Sequence, residues 1–229
     1  MKYSLIAAVG IMLATAVQGQ VPIYDNSQNE AYPIRYYPTP GTLEFGDEVN
    51  FDIGPGVSRY LTRFDFEYWG TNTANPSVFA GNVEVKVKFY KNDGPLSVAG
   101  YATPSTSIWE SEWFGISPTE RNRIAYLAGP DFAAGGLYLA EDKLTWTVQF
   151  RGMGATDSVG VDVYGPPVVG TSAQDFWLND PLDGGWVQKQ NEVDMNFACR
   201  FFVVPEPSSM GLLLLGGGLL AAMRRSRKQ

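Results

Sequence analysis

Val83, Val85, Val87 and Phe89 alternate with Glu84, Lys86 and Lys88. A period of two is the mark of a strand with one face in a core and the other in water. The same pattern recurs where Phe64, Phe66 and Tyr68 alternate with Asp65 and Glu67, and where Leu144, Trp146, Val148 and Phe150 alternate with Lys143, Thr145, Thr147 and Gln149. Shorter versions run through Val49, Phe51 and Ile53, through Val159, Val161 and Val163, and through Met195, Phe197, Cys199 and Phe201. At least six strands are expected.

Gly54-Pro55-Gly56, Asn92-Asp93-Gly94-Pro95, Gly152-Met153-Gly154, Gly165-Pro166-Pro167 and Asp183-Gly184-Gly185 separate these runs with residues that favour chain reversal. No series of helices is present to make parallel crossovers, so antiparallel pairing follows. The fold class expected is all-β: an antiparallel two-sheet sandwich of jelly-roll or lectin-like type, with a closed barrel as the second architecture. One short helix is expected over Ser117 to Ala128, where Ser117-Pro118-Thr119-Glu120 reads as a capping box and Gly129-Pro130 as a stop.

The two ends differ from this body. Met1-Lys2 is followed by an apolar stretch from Leu5 to Val17, and Val17-Gln18-Gly19 supplies small residues at the positions a signal peptidase reads. Residues 1–19 are therefore expected to be a signal peptide, with Ala14-Thr15-Ala16 as a second cleavage candidate, and 20–203 the β domain. At the other end Met210 to Met223 is an apolar run of about 14 residues, which as a helix would rise roughly 21 Å. Arg224, Arg225, Arg227 and Lys228 follow it and would stay on the cytoplasmic side, their side chains reaching the interface and helping a short helix to span.

Pro205-Glu206-Pro207, then the apolar run, then the basic cluster resembles the PEP-CTERM sorting tail of Gram-negative bacteria. By that resemblance, residues 204–229 are a transient inner-membrane anchor, read by a membrane-embedded exosortase and cut near Pro205 to Pro207, after which the body reaches the cell surface or extracellular matrix. Read from the residues alone, the same segment is also compatible with a permanent tail anchor. Tyr24-Asp25-Asn26, Phe89-Tyr90-Lys91-Asn92-Asp93-Gly94, Leu144 to Val148, Val169-Gly170-Thr171-Ser172 with Asp175-Phe176-Trp177, and Gly185-Trp186 resemble elements in the globular parts of other PEP-CTERM proteins. That likeness implies a β-rich module and no activity.

Of 17 basic residues Lys2 lies in the leader and four lie in the tail, whereas Glu206 alone of 24 acids lies in the tail, so the body keeps 12 against 23 and a formal charge of −11. A body this acidic is not expected to bind nucleic acid.

The chain has no His, which excludes Ser-His-Asp and Cys-His catalysis and His-ligated zinc. Cys199, the single cysteine, cannot form an internal disulfide and reads as a packing residue beside Phe197 and Phe201. Glu110 and Glu112 beside Trp109 and Trp113 carry no spacing signature of a glycosidase, and Asp65 and Glu67 read as a solvated outer face. No enzymatic activity is expected. Trp69, Trp109, Trp113, Trp177 and Trp186 are candidates for stacking on sugar rings, while Trp146 reads as core. Asp93, Asp180 and Asp183, in oxygen-rich turns, are weak candidates for a structural calcium, with local backbone capping as the competing role. The expected product is an exported structural or adhesive protein of the envelope or polysaccharide matrix, with a carbohydrate-binding module as the alternative; signal peptidase, an exosortase-type enzyme and an extracellular polysaccharide are the implied partners.

Overall fold

The computed structural model describes residues 19–29, 36–190 and 196–206. The leader, the apolar run and the basic cluster Arg224, Arg225, Arg227 and Lys228 lie outside the described residues, as do Pro207 and Met195. Among the described residues fifteen strands form two sheets, every ladder antiparallel. The first sheet has the order β1 (Val21–Asn26), β15 (Cys199–Pro205), β4 (Val57–Asn72), β11 (Asp157–Tyr164), β14 (Asn196–Phe197), with β2 (Tyr36–Pro38) on β11 and both β8 (Thr119–Leu127) and β9 (Leu137–Tyr138) on β4. The second has the order β13 (Gly185–Gln190), β12 (Asp175–Asp180), β3 (Glu44–Asn50), β10 (Lys143–Arg151), β5 (Glu84–Tyr90), β6 (Ser107–Glu110), with β7 (Phe114–Gly115) on β5. The result is a β-sandwich.

The alternating residues do what their period demands. Phe64 and Phe66 of β4 meet Trp146 of β10 at ring-centroid distances of 5.4 and 5.8 Å, and Phe201 of β15 meets Phe51 and Phe89 at 5.1 and 5.5 Å. These contacts tie the sheets together. Removing each such ring from water contributes about 1.5–3 kcal/mol. Cys199 is buried in the same layer, as the strand pattern requires.

Polar groups lace one end of the sandwich. Val168 to Ser172 crosses between the sheets, pairing Val169 with Asp25 and Thr171 with Asn50. Ser172 Oγ donates to Asp47 at 3.1 Å, and the Phe197 amide donates to the other oxygen of that buried carboxylate at 3.2 Å. Asn26 Nδ2 donates to the carbonyls of Tyr164, Asn196 and Phe197. Tyr24-Asp25-Asn26 and Val169-Gly170-Thr171-Ser172 thus form a clasp.

Two expectations are overturned. Ser117 to Ala128 is not a helix: Thr119–Leu127 is β8, paired with β4 from Arg63↔Leu127 to Gly70↔Thr119. The 16-residue β4 outruns its other partners and offers a long ladder, and arginines on β8 reach carboxylates on β4, so tertiary pairing overrides the local helix signal. Asp65 and Glu67 are not a solvated face. Asp65 is fully buried beneath Arg63, Arg123 and Arg200, and Glu67 lies near Arg121 and Arg200. Strand β3 also begins earlier than the apolar triplet suggested and ends at Asn50, leaving Phe51 and Ile53 packed against the core outside the ladder.

Candidate functional site

A groove of about 1040 Å³ runs along β13, the edge strand of the second sheet. Its far wall is a small hairpin, closed by hydrogen bonds between Gly94 and Thr103, Thr103 and Pro95, and Ser97 and Tyr101. Pro95, Leu96 and Val98 give that wall an apolar surface, and Leu96 and Val98 are exposed. Trp186, Gln188 and Gln190 share one face of β13, because alternate residues of a strand point the same way.

Trp186 is half-buried and held edge-on against Tyr90, with ring centroids 5.7 Å apart. Gln188 Nε2 donates to Asp175 at 2.6 Å, which orients the amide, while its Oε1 is buried. Asp183, the groove's carboxylate, faces Lys189 at 3.5 Å. An aromatic plane, apolar walls and polar side chains at its rim suit a sugar, whose ring has an apolar face and a rim of hydroxyls.

The five tryptophans proposed for stacking do not form one row. Trp177 is fully buried and cannot stack on a ligand from solvent. Trp109 packs on Phe89, Tyr126 and Phe132, and its Nε1 donates to the Asp131 carbonyl at 3.1 Å. It lines a hollow of about 440 Å³ that also holds Glu110 and Glu112, where Glu110 is paired with Lys86 at 3.1 Å. Trp113 is covered by Arg151, whose guanidinium sits 4.1 Å above the ring. Trp69 pairs with Tyr36 at 5.5 Å on the outer face of the first sheet. Only Trp186 stands in the large groove.

Strand β15 carries the body to the tail. It lies between β1 and β4, its Val203 is completely buried, and its last residue, Pro205, is paired with Val57. The Glu206 amide then donates to the Gly56 carbonyl at 2.9 Å. Residues 203–228 match the family model of the PEP-CTERM protein-sorting motif. The chain ends in a PEP-CTERM sorting tail. Such a tail marks an exported protein that an exosortase-type enzyme processes and sorts to the surface. No curated protein and no solved structure matches the chain. The PEP-CTERM motif overlaps the folded body by its first residues, since β15 ends inside it.

The three aspartates considered for calcium have local duties. Asp93 accepts the Thr106 amide at 2.9 Å, a bond that holds its carboxyl below the usual range. Asp180 caps the short 3-10 turn Pro181–Asp183 by accepting the Leu182 amide at 2.9 Å, and Asp183 is the Lys189 partner. Among the described residues no group of three or more Cys, Asp or Glu side chains is arranged to hold a metal ion.

Sequence reasoning missed the outer face of the first sheet. There Asp162, fully buried on β11, sits 3.3 Å from Arg121, and burial lifts its carboxyl to about 7 against the pull of that guanidinium. Arg121 also lies over the Tyr164 ring, and Tyr164 donates to Glu67 at 3.0 Å. Arg63, Arg121, Arg123 and Arg200 come from three strands far apart in the chain, so no local pattern announces that they meet.

Proposed function

We propose that this protein is an exported, non-enzymatic structural or adhesive component of the cell envelope or polysaccharide matrix, and that it meets matrix sugar at the groove along β13. The observation that carries the reading is the groove itself: Trp186, Gln188 and Gln190 on an edge strand facing an apolar hairpin, in a body delivered by a sorting tail. The lack of His in the chain and the pairing of Asp183 with Lys189 and of Glu110 with Lys86 favour binding over hydrolysis.

The groove equally favours a second reading, a dedicated carbohydrate-binding module. Titration of soluble oligosaccharides and affinity electrophoresis in gels cast with the host's own polysaccharide separate the two. Retardation by the polymer, lost in Trp186→Ala and kept in Trp69→Ala, supports the matrix role. Tight saturable binding of one short oligosaccharide supports the module. Unchanged mobility of the wild type in every gel removes sugar contact from both readings.

A further inference from the structure

The distribution of charge around the β13 groove bears on which sugars it can hold. Resting on the sugar contact proposed for that groove, we propose that it takes a segment of an uncharged polysaccharide and turns away chains that carry carboxylates or sulfates.

A polyanion is held where cations are in excess, and the groove has no such excess. Among the described residues Asp183 and Lys189 are the charged side chains that line it, and they face each other at 3.5 Å. The remaining polar lining is neutral, with Ser97 and Ser105 on the hairpin side and Gln188 and Gln190 on the strand. Carboxylates stand close behind these groups. Asp175 accepts from the Gln188 amide at 2.6 Å, Asp180 caps the turn that carries Asp183, and Asp93 accepts the Thr106 amide at the foot of the hairpin. The arginines gather instead on the first sheet, where Arg63, Arg123 and Arg200 meet Asp65 and Arg121 meets Asp162. The body as a whole has a formal charge of −11, and a field of that sign lowers the local concentration of anions.

The dimensions suit a chain and not a single ring. Strand β13 has six residues and so spans about 20 Å at 3.3 Å per residue. Trp186 offers one stacking plane, and the apolar wall of Leu96 and Val98 lies opposite, a pairing that recognises ring faces and asks for no charge.

The test uses the host's own polysaccharide, separated on an anion exchanger into an uncharged and an acidic fraction, each coupled to beads. Retention of the exported protein is measured at about 10 mM and about 1 M salt, where the screening length is roughly 30 Å and roughly 3 Å. The uncharged fraction should retain the wild type equally at both, and Trp186→Ala should abolish that retention. The acidic fraction should let the wild type pass at low salt. Asp183→Lys, which gives the groove an excess of cations, should be held by the acidic fraction at low salt and released at high salt, with its retention on the uncharged fraction unchanged. Retention of the wild type by the acidic fraction at low salt, as strong as by the uncharged one, overturns the inference and leaves sugar contact standing. So does an Asp183→Lys variant that gains nothing. Retention on neither fraction removes the sugar contact itself, and the inference with it.

Discussion

Arg63 grips Asp65 with two hydrogen bonds, Nε to Oδ1 at 2.7 Å and Nη2 to Oδ2 at 2.8 Å, across two residues of the same strand face. Arg200 and Arg123 approach Oδ2 of the same carboxylate at 3.3 and 3.8 Å. One buried anion thus organises three cations drawn from β4, β8 and β15. Removing it would leave a partly buried Arg200 short of a partner, and deleting one member of a buried pair costs on the order of 3 kcal/mol. Asp65→Ala should lower the unfolding free energy read from urea denaturation by that amount, whereas Arg123→Ala, on the exposed side, should cost well under 1 kcal/mol. Equal losses would refute the asymmetry.

Stability should rise as pH falls from 8 to 5. Burial pushes the carboxyls of Asp162, Asp47, Asp175 and Glu48 up, Asp162 to about 7. A group with a raised folded value contributes stability that is complete below its unfolded value and is lost as pH climbs through the folded one. Asp157 works the other way: burial alone would raise it, but amides of Ala80, Gly81 and Gly154 outweigh that and lower it. Its contribution disappears in strong acid. The melting temperature followed from pH 3 to 9 should therefore peak in the mildly acidic range, and Asp162→Asn should flatten the limb between 5 and 8. A maximum above pH 8 would contradict this.

Cys199 should be chemically silent in the native protein. It is fully buried, and burial, with Asp47 nearby, raises its thiol well above the ordinary range, so the reactive thiolate is scarce. Ellman's reagent should titrate one thiol in guanidinium and none in buffer over an hour. Rapid reaction in buffer would mean that β15 opens.

Gly170 makes the clasp between the sheets possible. Its φ of +74° suits glycine, and a Cβ there would lie 2.5 Å from the Asn50 carbonyl and 2.8 Å from the Tyr24 ring. Gly170→Ala should destabilise by on the order of 2 kcal/mol, read from chemical denaturation. Gly54→Ala, with open space around it and no positive φ, should be nearly neutral.

What could be read before the structure was local. The alternation from Val83 to Phe89 and from Leu144 to Phe150 became β5 and β10, because a core on one side and water on the other leaves a period of two in any strand. The tail was legible because its three parts are contiguous. The groove was only partly legible. Trp186 could be named, but its apolar wall comes from Leu96 and Val98 some ninety residues earlier, and nothing near Trp186 points to them. Trp177 misled for the opposite reason: its place beside polar Asp175 and Asn179 looks superficial, yet it is buried. The segment of β8 imitated a helix through its capping-box start and Gly129-Pro130 stop, whereas its arginines answer carboxylates on β4, a pairing that only the folded sheet reveals.

The position of β15 has a mechanical consequence. Were the tail held in a bilayer, drag on the body would pull along this strand from its C-terminal end, and both of its neighbours run antiparallel to it. Tension in that direction shears the whole ladder at once instead of peeling one hydrogen bond after another. A tether joined to an edge strand by its free end would unzip under far smaller force, so the chain's exit point makes the body a sturdy handle.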